Sequence, residues 1–232
     1  VQNTVWASDD VYWEYTVQKG DNLWSFSERH LISPAYAMKL KSFNKILNAY
    51  NIKPDMKIKV PLEWGKKVEG QAAVFAVTGK VDVELKNKQQ VAATVGLALP
   101  SGTRISTGKD AQATLKFADG SRLILNSGTT IVLGSQIYYP TTGASANTIN
   151  LERGSVNGNI ERPPLMKNRY EVKTKTAITA VRGTELDVGV DDVDDTRASV
   201  FSGHVDVIAG DKVVELKQGF GSRVGKESTH QT

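Results

Sequence analysis

The 232-residue sequence predicts two unlike units in series. The first is a small α+β unit of order strand–helix–helix–strand (βααβ). The second is an all-β unit of many short strands, β-helical or sandwich-like. Three observations carry this. All four Trp (Trp6, Trp13, Trp24, Trp64) fall within the first 64 residues. Of the 20 Gly, only Gly20 does. From Ala72 onward the apolar residues recur every second position, the period of a half-buried strand.

Composition narrows the function classes. Hydrophobic content of 40% and charged content of 23% are ordinary for a globular protein. The net charge of +4 comes from 29 basic against 25 acidic residues, too even for a nucleic-acid binder with clustered charge. With no cysteine, disulfides, Zn–Cys sites and a thiol nucleophile are excluded. The longest apolar run, Ala72 to Val77, is far short of the roughly 20 residues that span a bilayer, so no membrane-spanning segment is expected. No signal-peptide pattern opens the chain, so any export signal is expected to have been removed.

The elements of the first unit follow in order. Residues 1–12 lack periodicity and read as a leader. Glu14 to Val17 reads as a strand. Lys19-Gly20-Asp21 is a turn, with Asp21 as helix cap. Leu23, Phe26, His30 and Leu31 share one helical side. Ser33-Pro34 restarts a helix, with Ser33 as cap and Pro34 at the first helical position. Ala37, Leu40 and Phe43-Asn44 continue it. Asn51 to Asp55 is a loop, and Lys57 to Pro61 is a terminal strand ending in Pro.

These residues resemble the LysM domain. Tyr15-Thr16-Val17-Gln18-Lys19-Gly20-Asp21-Asn22-Leu23-Trp24 is similar to its opening. Leu40 and Asn44 match its Leu-x-x-x-Asn, and Ile58, Val60 and Pro61 its closing strand. Asp55 departs from the family, which usually has Gly there. The resemblance implies binding of N-acetylglucosamine glycans, such as peptidoglycan or chitin, between two loops. Carried over, these are Gly20, Asp21, Asn22 and Leu23 on one side, and Ile52, Lys53, Pro54 and Asp55 on the other. Gly20 lets main chain approach a ligand closely. Leu23, Ile52 and Pro54 would wall the acetamido methyl, and Tyr50 would stack on a sugar face. The competing structural roles are a cap for Asp21 and core for Leu23 and Ile52; Trp24 is read as core.

Residues 63–76, punctuated by Gly65 and Gly70, read as a linker or covering strap. Beyond them, Val81-Val83-Leu85, Ala113-Leu115-Phe117, Leu186-Val188-Val190 and Val205-Val207 alternate with polar residues, as strands with one buried face do. Turns recur at Ala118-Asp119-Gly120, Arg153-Gly154, Ser202-Gly203 and elsewhere. Residues 135–147, rich in Thr, Ser, Ala and Tyr, read as an insertion loop. The echo Gly-Thr-Arg-Ile, Gly-Ser-Arg-Leu, Gly-Thr-Thr-Ile, Gly-Thr-Glu-Leu is unevenly spaced, so it is no strict solenoid repeat.

This half resembles the FecR domain. The residues that carry the likeness are Leu99 to Gly108, Ala113 to Leu123 with its Asp-Gly-Ser, Leu151 to Val156, and Ala180 to Val188 with Arg182-Gly183-Thr184-Glu185. FecR proteins relay an outer-membrane transporter signal to a sigma factor, through a membrane helix and an anti-sigma segment. Here a LysM-like unit stands in that place, so the resemblance implies an extracytoplasmic interaction module. Arg182 and Glu185 are the candidate partner residues, with an internal ion pair as the structural alternative.

No hydrolase, zinc-protease or P-loop pattern occurs, so no enzyme and no cofactor is expected. Asp191, Asp192, Asp194 and Asp195 read as a solvated hairpin turn rather than a metal site. The domain boundaries expected are 13–62, a linker at 63–76, 77–225, and a polar tail at 226–232. The expected function is non-catalytic glycan binding in the periplasm or cell envelope, with an envelope protein as second partner. The alternative is a structural or adhesion fragment in which both units act as spacers.

Overall fold

The structure, a computed structural model, describes residues 12–165, 168–181 and 185–225. It divides into two compact units. The first comprises Val1–Val68, Tyr139–Ala144 and Pro163–Lys167; the second comprises Glu69–Tyr138, Ser145–Arg162 and Asn168–Thr232.

In the first unit, strand β1 (Tyr12–Thr16) leads to helices α1 (Leu23–His30) and α2 (Tyr36–Phe43) and then strand β2 (Lys57–Pro61). The two strands pair antiparallel, with Trp13 opposite Val60 and Tyr15 opposite Ile58. Alternation turns Trp13, Ile58 and Val60 inward, onto Leu23 and Phe26 of α1 and Ala37 and Leu40 of α2. The Phe26 ring is the hub, 4.6 Å from the Tyr15 ring and 5.9 Å from that of Trp13. Two expectations about caps need correcting. The cap of α1 is Asn22, whose Oδ1 accepts from Trp24 N (3.0 Å) and Ser25 N (2.9 Å); Asp21 lies one residue too early. Helix α2 starts at Tyr36, not Pro34. Ser33-Pro34-Ala35 instead forms a lead-in turn, with Tyr36 N donating to Ser33 O and Ala37 N to Pro34 O.

Asn44 explains the Leu-x-x-x-Asn spacing. Leu40 is core, and one turn later the Asn44 amide acts as a piece of strand. Its Nδ2 donates to Lys59 O (2.8 Å) and its Oδ1 accepts from Lys59 N (2.7 Å). The end of α2 is thereby tied to β2.

The stretch read as a linker carries a 3₁₀ turn (Leu62–Trp64), strand β3 (Val68–Glu69) and the start of β4 (Ala72–Thr78). The strands that follow are β5 (Val81–Glu84), β6 (Gln90–Ala92), β7 (Ala98–Leu99), β8 (Arg104–Thr107), β9 (Gln112–Lys116), β10 (Arg122–Leu125), β11 (Thr130–Tyr139) and β12 (Ala144–Asn159). Then come β13 (Arg169–Lys173), β14 (Ile178–Val181), β15 (Glu185–Val190), β16 (Thr196–Ser202), β17 (His204–Ala209), β18 (Lys212–Lys217) and β19 (Gly221–Val224).

Their pairings close into a curled sheet in which two ladders can be followed. One runs β7-β4-β9-β10-β12-β15-β16-β19. The other runs β6-β5-β8-β11, then β12-β13-β14-β17-β18. Inward residues of both, among them Ile105, Leu115, Leu125, Ile149, Val188 and Val205, form one buried core. Strand β12 belongs to both: 146–150 pair in parallel with β13, and 154–159 pair with β10 and β15. It turns from one to the other at Gly154, whose φ is +82°.

The expected insertion loop at 135–147 is instead the end of β11 and the start of β12. Its alternation is hidden because inward positions are polar. Gln136 is buried and bridges two strands, accepting from Ala72 N (2.8 Å) and donating to Leu99 O (2.9 Å). The Asp-Gly-Ser turn is likewise pinned from within. Asp119 accepts from Ser121 N (2.9 Å) and from the buried Tyr170 hydroxyl (3.0 Å). Burial pushes the Asp119 carboxyl up, against the pull of these bonds.

Two outcomes follow. A Cβ at Gly154 would lie 2.5 Å from Thr129 Oγ1 and 2.6 Å from its Cα. Gly154→Ala therefore costs about 3 kcal/mol of unfolding free energy, measured by urea denaturation. Asp119, raised in the folded state, gains stability on protonation and loses it as pH rises through its folded pKa. Asp119→Asn should thus melt above the parent at pH 7, with the gap closing towards acid pH.

Candidate functional site

The expected glycan-binding residues lie in the two loops that leave the β1–β2 ladder at one end. Main-chain bonds extend that ladder past its last pair: Val17 N donates to Met56 O, and Asp55 N to Val17 O, each at 2.9 Å. A third bond, Leu23 N to Ala49 O (2.9 Å), ties the start of α1 to the second loop. These main-chain bonds hold the two loops side by side.

Asp55, where a glycine was expected by analogy, has φ +65°. Aspartate is one of the few residues with a side chain that tolerate this left-handed region. The loop therefore keeps the conformation a glycine would give it. Gly20 also has a positive φ (+90°), and a Cβ there would meet nothing within 4 Å. It is kept for its backbone angle and leaves the surface open.

The remaining residues divide by burial. Leu23 (0% exposed) and Ile52 (6%) fill the core and do not face a ligand. The exposed apolar surface is Pro54 and Tyr50, the latter 72% exposed. Lys53 is exposed beside them. Trp24, read from sequence as core, is only half-buried, and its ring stacks against Tyr50 at 6.4 Å between centroids. Its Nε1 is buried without a hydrogen-bond partner. Nothing in the sequence signalled this Trp24–Tyr50 pair, because 26 positions separate the two.

Asp21 is spent internally. Its carboxylate accepts from the Tyr15 hydroxyl (2.7 Å) and Gln18 N (2.8 Å), and pairs with Arg29. Burial alone would raise its pKa, but the Tyr15 and Gln18 hydrogen bonds and the Arg29 guanidinium outweigh it and hold the carboxyl below its ordinary range. The same contact, after burial itself, pushes the Tyr15 hydroxyl up to about 12. Asp21 shapes the turn from beneath, and Asn22 is engaged through its cap.

The weaker partner candidates are placed less fully. Arg182 lies outside the described residues. Glu185 begins β15 and is exposed, with its amide donating to Ser202 Oγ (3.1 Å). The acidic run is the turn between β15 and β16. Among the described residues, cations that answer it are Lys175 at Asp194 (2.8 Å), Arg223 at Asp195 (2.8 Å) and Arg197 at Asp191 (3.4 Å). Among the described residues, no group of three His, Asp or Glu is placed to hold a metal ion. No helix among them is long and apolar enough to cross a membrane.

The LysM domain family model matches residues 15–61, and the FecR protein family model matches residues 103–206. Two crystal structures of a protein described as an anti-sigma factor from Parabacteroides distasonis, at 2.50 and 1.65 Å resolution, are similar at 22% identity and a TM-score of 0.43. The match covers 54% of this chain and 55% and 56% of those, so the chain spans about half their length. No curated protein matches the chain.

Because Asp21 has a lowered folded pKa, its contribution is present above the unfolded value and lost as pH falls through the folded one. The stability difference between the parent and Asp21→Asn should be full at neutral pH. It should shrink below about pH 4, as followed by chemical denaturation across pH.

Proposed function

We propose that this chain, a LysM domain followed by a FecR domain, is a non-catalytic binder of N-acetylglucosamine glycan such as peptidoglycan. In this reading residues 13–62 hold the chain on the glycan, in the periplasm or cell envelope. Residues 77–225 engage an envelope protein or relay a signal, joined through 63–76.

The observation that carries the reading is the pair of loops laced by main-chain bonds, with Asp55 in the left-handed conformation. An acetamido sugar is neutral and needs N–H and C=O partners together with an apolar wall. Main chain at Gly20 and the Lys53 N–H and Pro54 carbonyl, with Asp55 N spent on Val17 O, supply the first, and Pro54 with Tyr50 over Trp24 supplies the second. Leu23, Ile52 and Asp21 support these loops from inside. The FecR resemblance, which extends over the sheet-rich half, supports an interaction role there.

Co-sedimentation with purified peptidoglycan sacculi tests this. The parent chain should pellet with sacculi. Tyr50→Ala combined with Pro54→Ala should weaken pelleting about tenfold or more, an apolar loss of over 1.4 kcal/mol. Asp55→Gly should leave it intact, whereas Asp55→Val, strained at positive φ, should reduce it. A folded parent chain that never pellets would overturn the reading and favour both units as spacers.

A further inference from the structure

The ladder β10-β12-β15-β16-β19 has one face in the core and one in solvent. Along the outer face one row crosses all five strands: Ile124, Asn157, Asp187, Ser199 and Gly221 stand opposite one another in register. At the usual strand spacing the row is about 19 Å long. Its members are short towards the β19 end, and Asn157, Asp187 and Ser199 are half-buried although they face outward. They form a half-buried polar row on that face.

The hydrogen bonds of this row run in one direction. Asn126 Nδ2 donates to Ser155 Oγ (2.9 Å) and to Asn157 Oδ1 (2.8 Å), and Asn157 Nδ2 donates to Asp187 Oδ2 (2.8 Å). Both amide hydrogens of Asn126 are used, so the side chains are held in place by one another. Among the described residues, Asn126 Oδ1 and Asp187 Oδ1 accept no hydrogen bond, so acceptors are left over. A fixed row of acceptors with a few hydroxyls and amide hydrogens is complementary to a hydroxyl-rich ligand.

A second observation points the same way. The β15–β16 register slips between Glu185 and Leu186: Glu185 pairs with Ser202 and Leu186 with Val200. Phe201 is the residue left over, and it stands 54% exposed. A bulge re-aims a side chain, and this one holds an aromatic ring out in water two positions along the strand from Ser199. An exposed apolar ring beside a polar row is well suited to the flat apolar face of a pyranose. The row carries one carboxylate and no cation, which disfavours nucleic acid.

We propose that this face is a second glycan-binding surface, separate from the loops of the first unit. A neutral sugar chain would lie across the strands, with one ring on Phe201 and its hydroxyls bonded to Asn157, Asp187 and Ser199.

The test is calorimetric titration of the full chain with the neutral tetramer of N-acetylglucosamine. The parent should show two sites. Phe201→Ala should weaken one of them about tenfold and leave the other unchanged. Ser199→Trp, which covers the row without touching the Asn126–Asn157–Asp187 bonds, should do the same; equal melting temperatures would show that both variants are folded. Tyr50→Ala with Pro54→Ala should abolish only the other site. A single site that this loop variant removes and Phe201→Ala leaves alone would overturn the inference while keeping the loop reading. A single site lost only in the Phe201 and Ser199 variants would support it and overturn the loop reading. No binding at all would overturn both.

Discussion

One strand has to serve two ladders, and the second unit depends on the corner that lets it. Residues 146–150 of β12 run parallel to β13, while 154–159 pair with β10 on one side and β15 on the other. Between them the chain must change direction without leaving hydrogen bonds unmade, because buried main-chain polar groups are costly to strand. The positive φ of Gly154 provides the bend, and the missing Cβ lets Thr129 close over it. Thr129 Oγ1 then accepts from Ser155 N (3.0 Å) and donates to Ser155 O (2.9 Å), replacing the ladder at the corner with one hydroxyl.

The first unit solves a related problem with side chains. Asn44 and Asn22 both supply what the backbone lacks at a helix end. Asn22 answers the free N–H groups at the start of α1, and Asn44 completes strand β2 from the end of α2. Asp21 does the same for the intervening turn. The apolar core decides that the unit is compact. These three polar side chains decide where each element begins and stops.

Legibility from sequence follows the same division. Apolar alternation marked β5, β9, β15 and β17, and the three-to-four spacing marked α1. The period is a direct consequence of which side faces water. It failed where inward positions are polar: Gln136 and Asn147 disguised two of the longest strands as a loop. For the candidate site, the loop backbone was legible and the burial of its side chains was not. Gly20 could be picked out because positive φ has few tenants, whereas Asp55 stood out only as a departure from the family's Gly and proves to keep the left-handed backbone. Leu23 and Ile52 could not be told from ligand-facing residues, since burial depends on partners far along the chain. The acidic run at 191–195 was read as a turn, while the Lys175, Arg197 and Arg223 that answer it come from three other places in the sequence.

The ladders have a further consequence, and it is kinetic. Strand β4 pairs with β9 across β5 to β8, β5 with β8, β14 with β17, and β16 with β19. Hairpins such as β5–β6, β9–β10, β13–β14, β15–β16 and β17–β18 can form locally, but the ladders that join them wait on partners from later in the chain. Each such pairing must close a long loop before its contacts repay the lost entropy. Folding dominated by non-local pairing is slow, falling towards milliseconds to seconds. In the first unit the pair β1–β2 closes a loop of similar length, but the two helices that lie between these strands are local structure. The boundary seen in composition, between the tryptophan-rich and glycine-rich halves, is then also a boundary between helical contacts made locally and a sheet completed by distant strands.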